Sequence, residues 1–496
     1  MKLTRREAIK LGLIGSGSLL LPFVKQEPAF AQFSPQIKPF ELPFRTPPVL
    51  QPIRSDATTD YYKITMEKAR VEILPGLKTE IWGYNGITPG PTIRQQRGRQ
   101  SVVRFINNLD EKMSVHLHGM ASLPQYDGYA EDLISPGYYK DYLYPNNRAS
   151  TLWYHDHAIH QTASHVYRGL AGMYIVDDEV EQALPLPKGE YEIPLIIQDK
   201  RFARNGSLIL DNLNNRGVYG DVMLVNGVPF PRMEVANRKY RFRVLNGGAS
   251  RLLNLQLNKG ELIVIGTDAG LISAPVKTRT LRIGIAERYG FIIDFSQYPI
   301  GTRVILQNPI SSNNIDRDNR TNQIMCFDVV RQESDDSLIP DTLRFVQPIP
   351  ISSALRTRTF RFDRNNGVWK INNLGWDKNR IDANPGFGDV EIWNLVNPGG
   401  GWIHPVHIHL VDLQLLSRNG RNPLPYERGW KDVFLVGENE TVRVITKFGP
   451  NIGKYMMHCH NIVHEDTDMM TQFEVGTGGD SPLSAPAKPI SQILPL

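Results

Sequence analysis

Short runs rich in Val, Ile, Phe and Tyr recur along the chain, separated by Gly, Pro, Asn and Asp, while apolar spacing of the helical kind is scarce. Successive side chains of a strand point to opposite faces, so alternating runs of this sort read as strands with one face buried. Three of them, 102–107, 240–246 and 390–395, look alike: each alternates and then runs into an Asn-containing turn, at a spacing of about one domain. The 35 prolines and 41 glycines supply the turns that such a chain needs. At 496 residues the chain is too long for one core, and ~100–200 residues per domain suggests three. Charged and proline residues cluster near 181–194 and 331–350, where domains would part. The expected fold is all-β, with three β-sandwich domains over 45–182, 190–335 and 350–476, and a Gly/Ser/Pro/Ala tail over 477–496 with little to bury.

A content of 41% hydrophobic and 22% charged residues excludes a disordered or fibrous chain. The net charge of +5 is no nucleic-acid signal: Lys2, Arg5, Arg6, Lys10 and Lys25 stand against Glu7 and Glu27 in the first 31 residues, and without that segment the charge is +2. Residues 1–31 read as an export signal, with Thr4-Arg5-Arg6-Glu7-Ala8-Ile9-Lys10, a mildly apolar stretch over 11–24, and the small-x-small ending Ala29-Phe30-Ala31. The apolar stretch is shorter than the ~18 residues of a membrane span. Its arginine pair resembles a twin-arginine signal. An exported protein, periplasmic or extracellular and without a membrane span, is expected. Of two cysteines, Cys326 reads as a buried apolar thiol; if Cys459 binds a metal, no disulfide forms within the chain.

Histidine changes the picture most. All twelve lie between His116 and His165 or between His404 and His464. Four times they repeat as His-x-His: His116/His118, His155/His157, His407/His409 and His458/His460. In extended backbone each pair presents both imidazoles on one side, and eight converging imidazoles exceed what one metal ion can use. Imidazole suits copper, zinc, iron or nickel, so a multinuclear site is expected. Cys459 stands between the last pair, and by the same periodicity its side chain points the other way. On that side His404, His464 and Met469 remain. Two imidazoles, a thiolate and a weak thioether are the ligand set of a blue-copper electron-transfer centre. Zinc would need neither the thioether nor eight further imidazoles. His160 and His165 fall outside the ligand spacing and read as surface or hydrogen-bonded residues, Met470 as core, and Asp156 as pointing away from the metals.

These motifs resemble those of the multicopper oxidases in order and spacing. Trp153-Tyr154-His155-Asp156-His157-Ala158-Ile159-His160, continuing to Tyr167-Arg168-Gly169, is similar to the branch of bilirubin oxidases and bacterial spore-coat laccases. So are the run from His458 to Met470 and Trp402, two residues before His404. The resemblance covers about residues 45 to 475. It implies cupredoxin-like Greek-key barrels and four copper ions. Type 1 copper would take His404, Cys459, His464 and axial Met469; type 2 copper, His116 and His407; and the two type 3 ions, His118, His155, His157, His409, His458 and His460. Asp127 and Glu465 match acidic positions that would deliver protons, and Trp402 would lie beside the type 1 site and affect electron uptake. The middle domain carries no ligand and would hold the outer two together and shape a substrate cleft. The implied reaction couples one-electron oxidation of small phenolic, aromatic amine or bilirubin-like donors to four-electron reduction of dioxygen to water. A cuprous-ion oxidase is the alternative within the class, disfavoured by only twelve methionines, none clustered beyond Met456/Met457 and Met469/Met470. Outside the class stands a copper-free exported binding protein of cell division, disfavoured by the intact ligand positions. A monomer without nucleic-acid partners is expected.

Overall fold

The computed structural model describes residues 33–212, 215–309 and 319–496, so the expected export signal lies outside the described residues. Strands dominate, as the alternating pattern predicts, and the α-helices among the described residues are the short Thr162–Arg168, Glu179–Ala183 and Ile462–Asp466. Among them no helix is long and apolar enough to cross a membrane.

The strands pair into six sheets, two to each third of the chain: six and four strands in the first, seven and five in the middle, six and four in the last. Each pair of sheets closes on its own apolar core. Ile64, Phe105 and Tyr154 meet in the first, Val244, Phe291 and Phe327 in the second, and Trp393, Val444 and Phe473 in the third. The fold is all-β with three cupredoxin-like barrels.

The internal repeat has a structural counterpart. Gln100–Asn107, Lys239–Asn246 and Val390–Asn397 occupy the same place in their barrels, each parallel to an earlier strand on one side and antiparallel to a later one on the other. Each ends in an asparagine that folds the turn after it. Asn107 accepts from Leu109 N (2.9 Å), Asn246 from Gly248 N (3.1 Å) and Asn397 from Gly399 N (3.0 Å). The side-chain amides donate onward to carbonyls across the barrel, such as Ile134 O, Ile283 O and Trp402 O. An Asx turn thus fixes the same corner three times.

The tail is more engaged than its composition suggests. Lys488–Pro489 pairs antiparallel with Tyr138–Tyr139, on the edge of the first barrel's larger sheet. Nearby, Tyr139 Oη donates to Gln492 O (3.4 Å) and Arg104 Nη1 to Leu494 O (2.5 Å). Strand pairing to an open edge, side-chain donors to its carbonyls and the packing of Ala487 on the core hold it.

Candidate metal centre

The two four-stranded sheets of the outer barrels carry His116, His118, His155, His404, His407 and His458, with His157, His409 and His460 just past the ends of the same strands. In the first barrel Val115–His118 pairs with Ser150–Asp156, setting His116 opposite His155. In the third, His404–Ile408 pairs with Gly453–Cys459, setting His407 opposite His458 and Val406 opposite Cys459. The rings from the two barrels interleave. His118 stacks on His407 at 3.6 Å between centroids, and His116 on His409 at 4.0 Å. All eight imidazoles of the four His-x-His pairs are buried in this one cluster.

Three groupings stand out. His116 Nε2 lies 3.3 Å from His407 Nε2. His458 Nε2 lies 3.2 Å from both His157 Nε2 and His409 Nε2. Ring nitrogens of His118, His155 and His460 come within 4.8 Å of one another. The partners on the far side of the rings set the tautomers. His407 Nδ1 donates to Asp432 O (2.9 Å), His116 Nδ1 to Asp127 O, and His409 Nδ1 to Asp127 Oδ2 (2.7 Å), so their Nε2 lone pairs converge on one another. His118 Nδ1, His155 Nε2 and both nitrogens of His460 are buried without a partner. Burial, with neighbouring imidazoles adding to it, holds His116, His118, His155, His407, His409 and His460 well below the usual histidine range, which leaves them neutral. Converging neutral lone pairs repel unless a cation sits between them, and separations near 3.2 Å suit ligand atoms about 2 Å from one ion. The donor set fits metal ions.

On the other face of the same strand Cys459 Sγ lies 3.4 Å from His404 Nδ1 and 3.6 Å from His464 Nδ1. Met469 packs in the same buried cluster, and its carbonyl accepts from Cys459 N (3.0 Å). Burial pushes the Cys459 thiol up and His404 down to about 3, so a thiolate here requires a cation beside it. His464 Nε2 donates to Arg216 O of the middle barrel (3.1 Å). Trp369 covers the His464 ring at 3.6 Å, and Trp402, half-buried, stands at right angles to Trp369 at 5.2 Å.

Both carboxylates singled out in the sequence border the larger cluster. Burial raises Asp127 well above the usual range; its Oδ2 takes the His409 proton donor, while Oδ1 is buried without a partner. Glu465 is raised by burial but pulled down further by the imidazoles of His458 and His157, to about 2. Its Oε2 is 3.0 Å from His458 Nδ1. Elsewhere Asp156 turns away from the cluster to accept from Ser114 N, Ala158 N and His165 Nδ1. His160 is exposed at the surface and Met470 is core, while Cys326 is fully buried with its thiol raised to about 12. Sequence reasoning missed Trp369, Arg216, Asp432 and Arg288, the last of which binds Asp432 through both carboxylate oxygens (2.7 and 2.5 Å). The one signal for Asp432 is the pair Lys431-Asp432 at the mouth of an otherwise apolar run, Val433–Val436.

Comparison with known proteins agrees with this chemistry. Multicopper oxidase domain families match residues 65–181, 200–329 and 348–479. Bilirubin oxidase of Albifimbria verrucaria is 43% identical over 89% of this chain and 82% of its own. Laccase of Bacillus subtilis is 34% identical over 86% and 97%. Among solved structures, a laccase from Pediococcus acidilactici superposes with a TM-score of 0.82 at 31% identity, covering 90% of this chain and 95% of its own. With a buried imidazole cluster and a buried thiol cluster meeting at one strand, and relatives of this likeness across nearly the whole chain, the protein belongs to the multicopper oxidase family, copper-dependent oxidoreductases with dioxygen as acceptor.

Proposed function

We propose that the protein takes single electrons from phenolic, aromatic amine or bilirubin-like donors at the Cys459 pocket and passes four of them to one dioxygen in the eight-imidazole cavity, yielding two waters. The observation that carries this reading is the tripeptide His458-Cys459-His460: its thiol faces His404 and His464 while its imidazoles face the other cluster, so one short covalent path joins the two. Four copper ions are proposed. His404, Cys459, His464 and Met469 would hold type 1; His116 and His407, type 2; and His118, His155, His157, His409, His458 and His460, the type 3 pair. Bound copper supplies the one-electron carriers and the dioxygen chemistry.

The chain's own residues do the rest. Trp369, fully buried, packs over His464 and bars water from its ring, while the half-buried Trp402 beside it leaves an aromatic surface on which a flat donor can rest. Arg364 lies over Trp369 (4.9 Å) and Trp402 (5.8 Å), close enough to Arg216 for the two positive charges to be felt, so the rim favours donors carrying carboxylates. Deep in the cavity Asp127 keeps a proton that its unpartnered Oδ1 can offer, while Glu465, ionised and with Oε2 3.0 Å from His458 Nδ1, can receive one. The residues 1–31 support export to the periplasm or the medium, and a monomer is proposed.

An absorption spectrum with copper analysis, followed by oxygen uptake on bilirubin, phenolic and cuprous donors, tests the reading. An intense visible thiolate-to-copper band with uptake on the aromatic donors is expected. Uptake on cuprous ion alone would replace the donor class, and a colourless protein that cannot be loaded with copper would overturn the oxidase reading in favour of a binding role.

A further inference from the structure

We infer that Arg288 of the middle barrel fixes two imidazoles, that of His407 on the type 2 copper and that of His118 on the type 3 pair, and so determines how tightly the type 2 copper and its neighbour are held; the inference rests on the ligand reading above. The ligand-free middle barrel thereby governs a centre built by its neighbours.

Arg288 is fully buried, and every N–H of its guanidinium is placed. Nε donates to Thr151 O (2.8 Å) on the first barrel's strand that also carries His155. Nη1 donates to Ala286 O (3.1 Å) and Asp432 Oδ1 (2.7 Å), and Nη2 to Asp432 Oδ2 (2.5 Å) and Asp268 O (3.4 Å). One side chain therefore grips all three barrels. Its bidentate fork fixes both the plane and the rotation of the Asp432 carboxylate, which a point charge could not do.

Asp432 in turn controls two imidazoles. Its Oδ1 accepts from His118 Nε2 (2.9 Å), so His118 can present only Nδ1 to a metal, and that atom has no partner. Its carbonyl accepts from His407 Nδ1 (2.9 Å), aiming His407 Nε2 at His116. The peptide that carries this carbonyl is held from behind by the middle barrel. Asp268 Oδ2 accepts from Asp432 N and Val433 N (both 3.2 Å) and from Lys431 Nζ (2.9 Å), and Lys431 also pairs with Glu287 (3.1 Å). Space for the Arg288–Asp432 pair is reserved by Gly119, next to His118. A Cβ there would lie 2.7 Å from Arg288 Nη2 and 2.8 Å from Asp432 Oδ2, and its φ of +89° already favours glycine.

Two variants test this. Arg288→Met keeps length without donors, and Arg288→Lys keeps charge without the fork. On copper-loaded protein both should retain the visible thiolate band in full. Chelator competition should show type 2 copper bound about 10–100-fold more weakly in Arg288→Met, with its EPR signal diminished, and an intermediate loss with altered hyperfine splitting in Arg288→Lys. Wild-type copper affinity and an unchanged type 2 EPR signal in both variants would overturn the inference. So would failure of both to yield soluble protein with the visible band, because the arginine would then act on folding. A wild-type protein lacking the band would instead sink the copper reading itself.

Discussion

Gly128 follows Asp127 at a turn pressed against the ligand strand, and its replacement by alanine gives a test of how tightly the cluster is built. Its φ is +77°, and a Cβ there would sit 2.3 Å from Val115 O and 2.6 Å from His116 Cα. Relief to ordinary contact requires about 1 Å of separation between the turn and the strand. The left-handed backbone costs an alanine ~1–2 kcal/mol and the overpacking a further ~1–3, together about 2–5 kcal/mol. The displacement falls on His116 and on Asp127, whose carbonyl and carboxylate hold His116 and His409. A shift of ~1 Å at reacting groups commonly costs about 100-fold in rate. Gly128→Ala should therefore lose about two orders of magnitude in oxygen uptake and several degrees in thermal midpoint. The visible band should stay, since Cys459 faces away from the cluster on the other side of its strand, towards His404 and His464. Steady-state oxygen consumption, calorimetry and the visible spectrum read these three quantities. Wild-type turnover at an unchanged melting temperature would refute the claim that backbone contact, rather than the imidazoles alone, sets the cluster.

Cys459→Ser should abolish the visible band and donor oxidation, whereas Cys326→Ser, buried in the middle barrel, should leave both intact; turnover by the first variant would sink the assignment. Arg243→Met leaves Glu181 and Glu192, each 2.5 Å from the guanidinium, buried without this partner, and should destabilise the protein by about 3–5 kcal/mol near neutral pH in chemical denaturation. Glu181 is raised by burial but pulled down further, to about 2, by Arg241 and Arg243, so its stabilising share is present above its unfolded value of 4.5 and is lost as the pH falls towards 2. The Arg243→Met penalty should accordingly shrink across that window, and a penalty constant with pH would refute the linkage. Lys200 is buried beside Tyr167, and burial brings it down to about 8. Between that value and its unfolded value of 10.5 the unfolded chain binds more protons, so stability from this group rises with pH, by roughly 3 kcal/mol in all. The stability advantage of Lys200→Met over wild type should therefore diminish from pH 8 to 10, and a flat difference would count against it.

The four His-x-His pairs and the inverted cysteine were legible because a strand's two-residue period converts spacing directly into sidedness. The repeat was legible for a similar reason: the strand and its turn asparagine are local, although in the third copy Asn397, not Asn394, makes the turn. Arg288, Trp369 and Arg216 left no such trace. Arg288 meets Asp432 across 144 residues, and Arg216 reaches His464 across 248, through contacts that exist only once barrels dock. Trp369 lies in an ordinary hairpin whose Asn-Gly turn predicts a bend but nothing of the imidazole it covers. Buried charge at the start of an apolar strand, as at Lys431-Asp432, is the nearest thing to a local warning of such contacts.

The pairing of Lys488 with Tyr139 has a bearing on the order in which the molecule can be made. The first barrel's larger sheet keeps an uncovered edge until a segment about 350 residues downstream arrives to close it. Its histidines likewise wait for those of the third barrel. No barrel-by-barrel assembly can finish the first unit early, so folding is governed by late, distant closures and should be slow. Filling of the eight-imidazole cavity becomes a final step, open only to a chain whose outer barrels have already met.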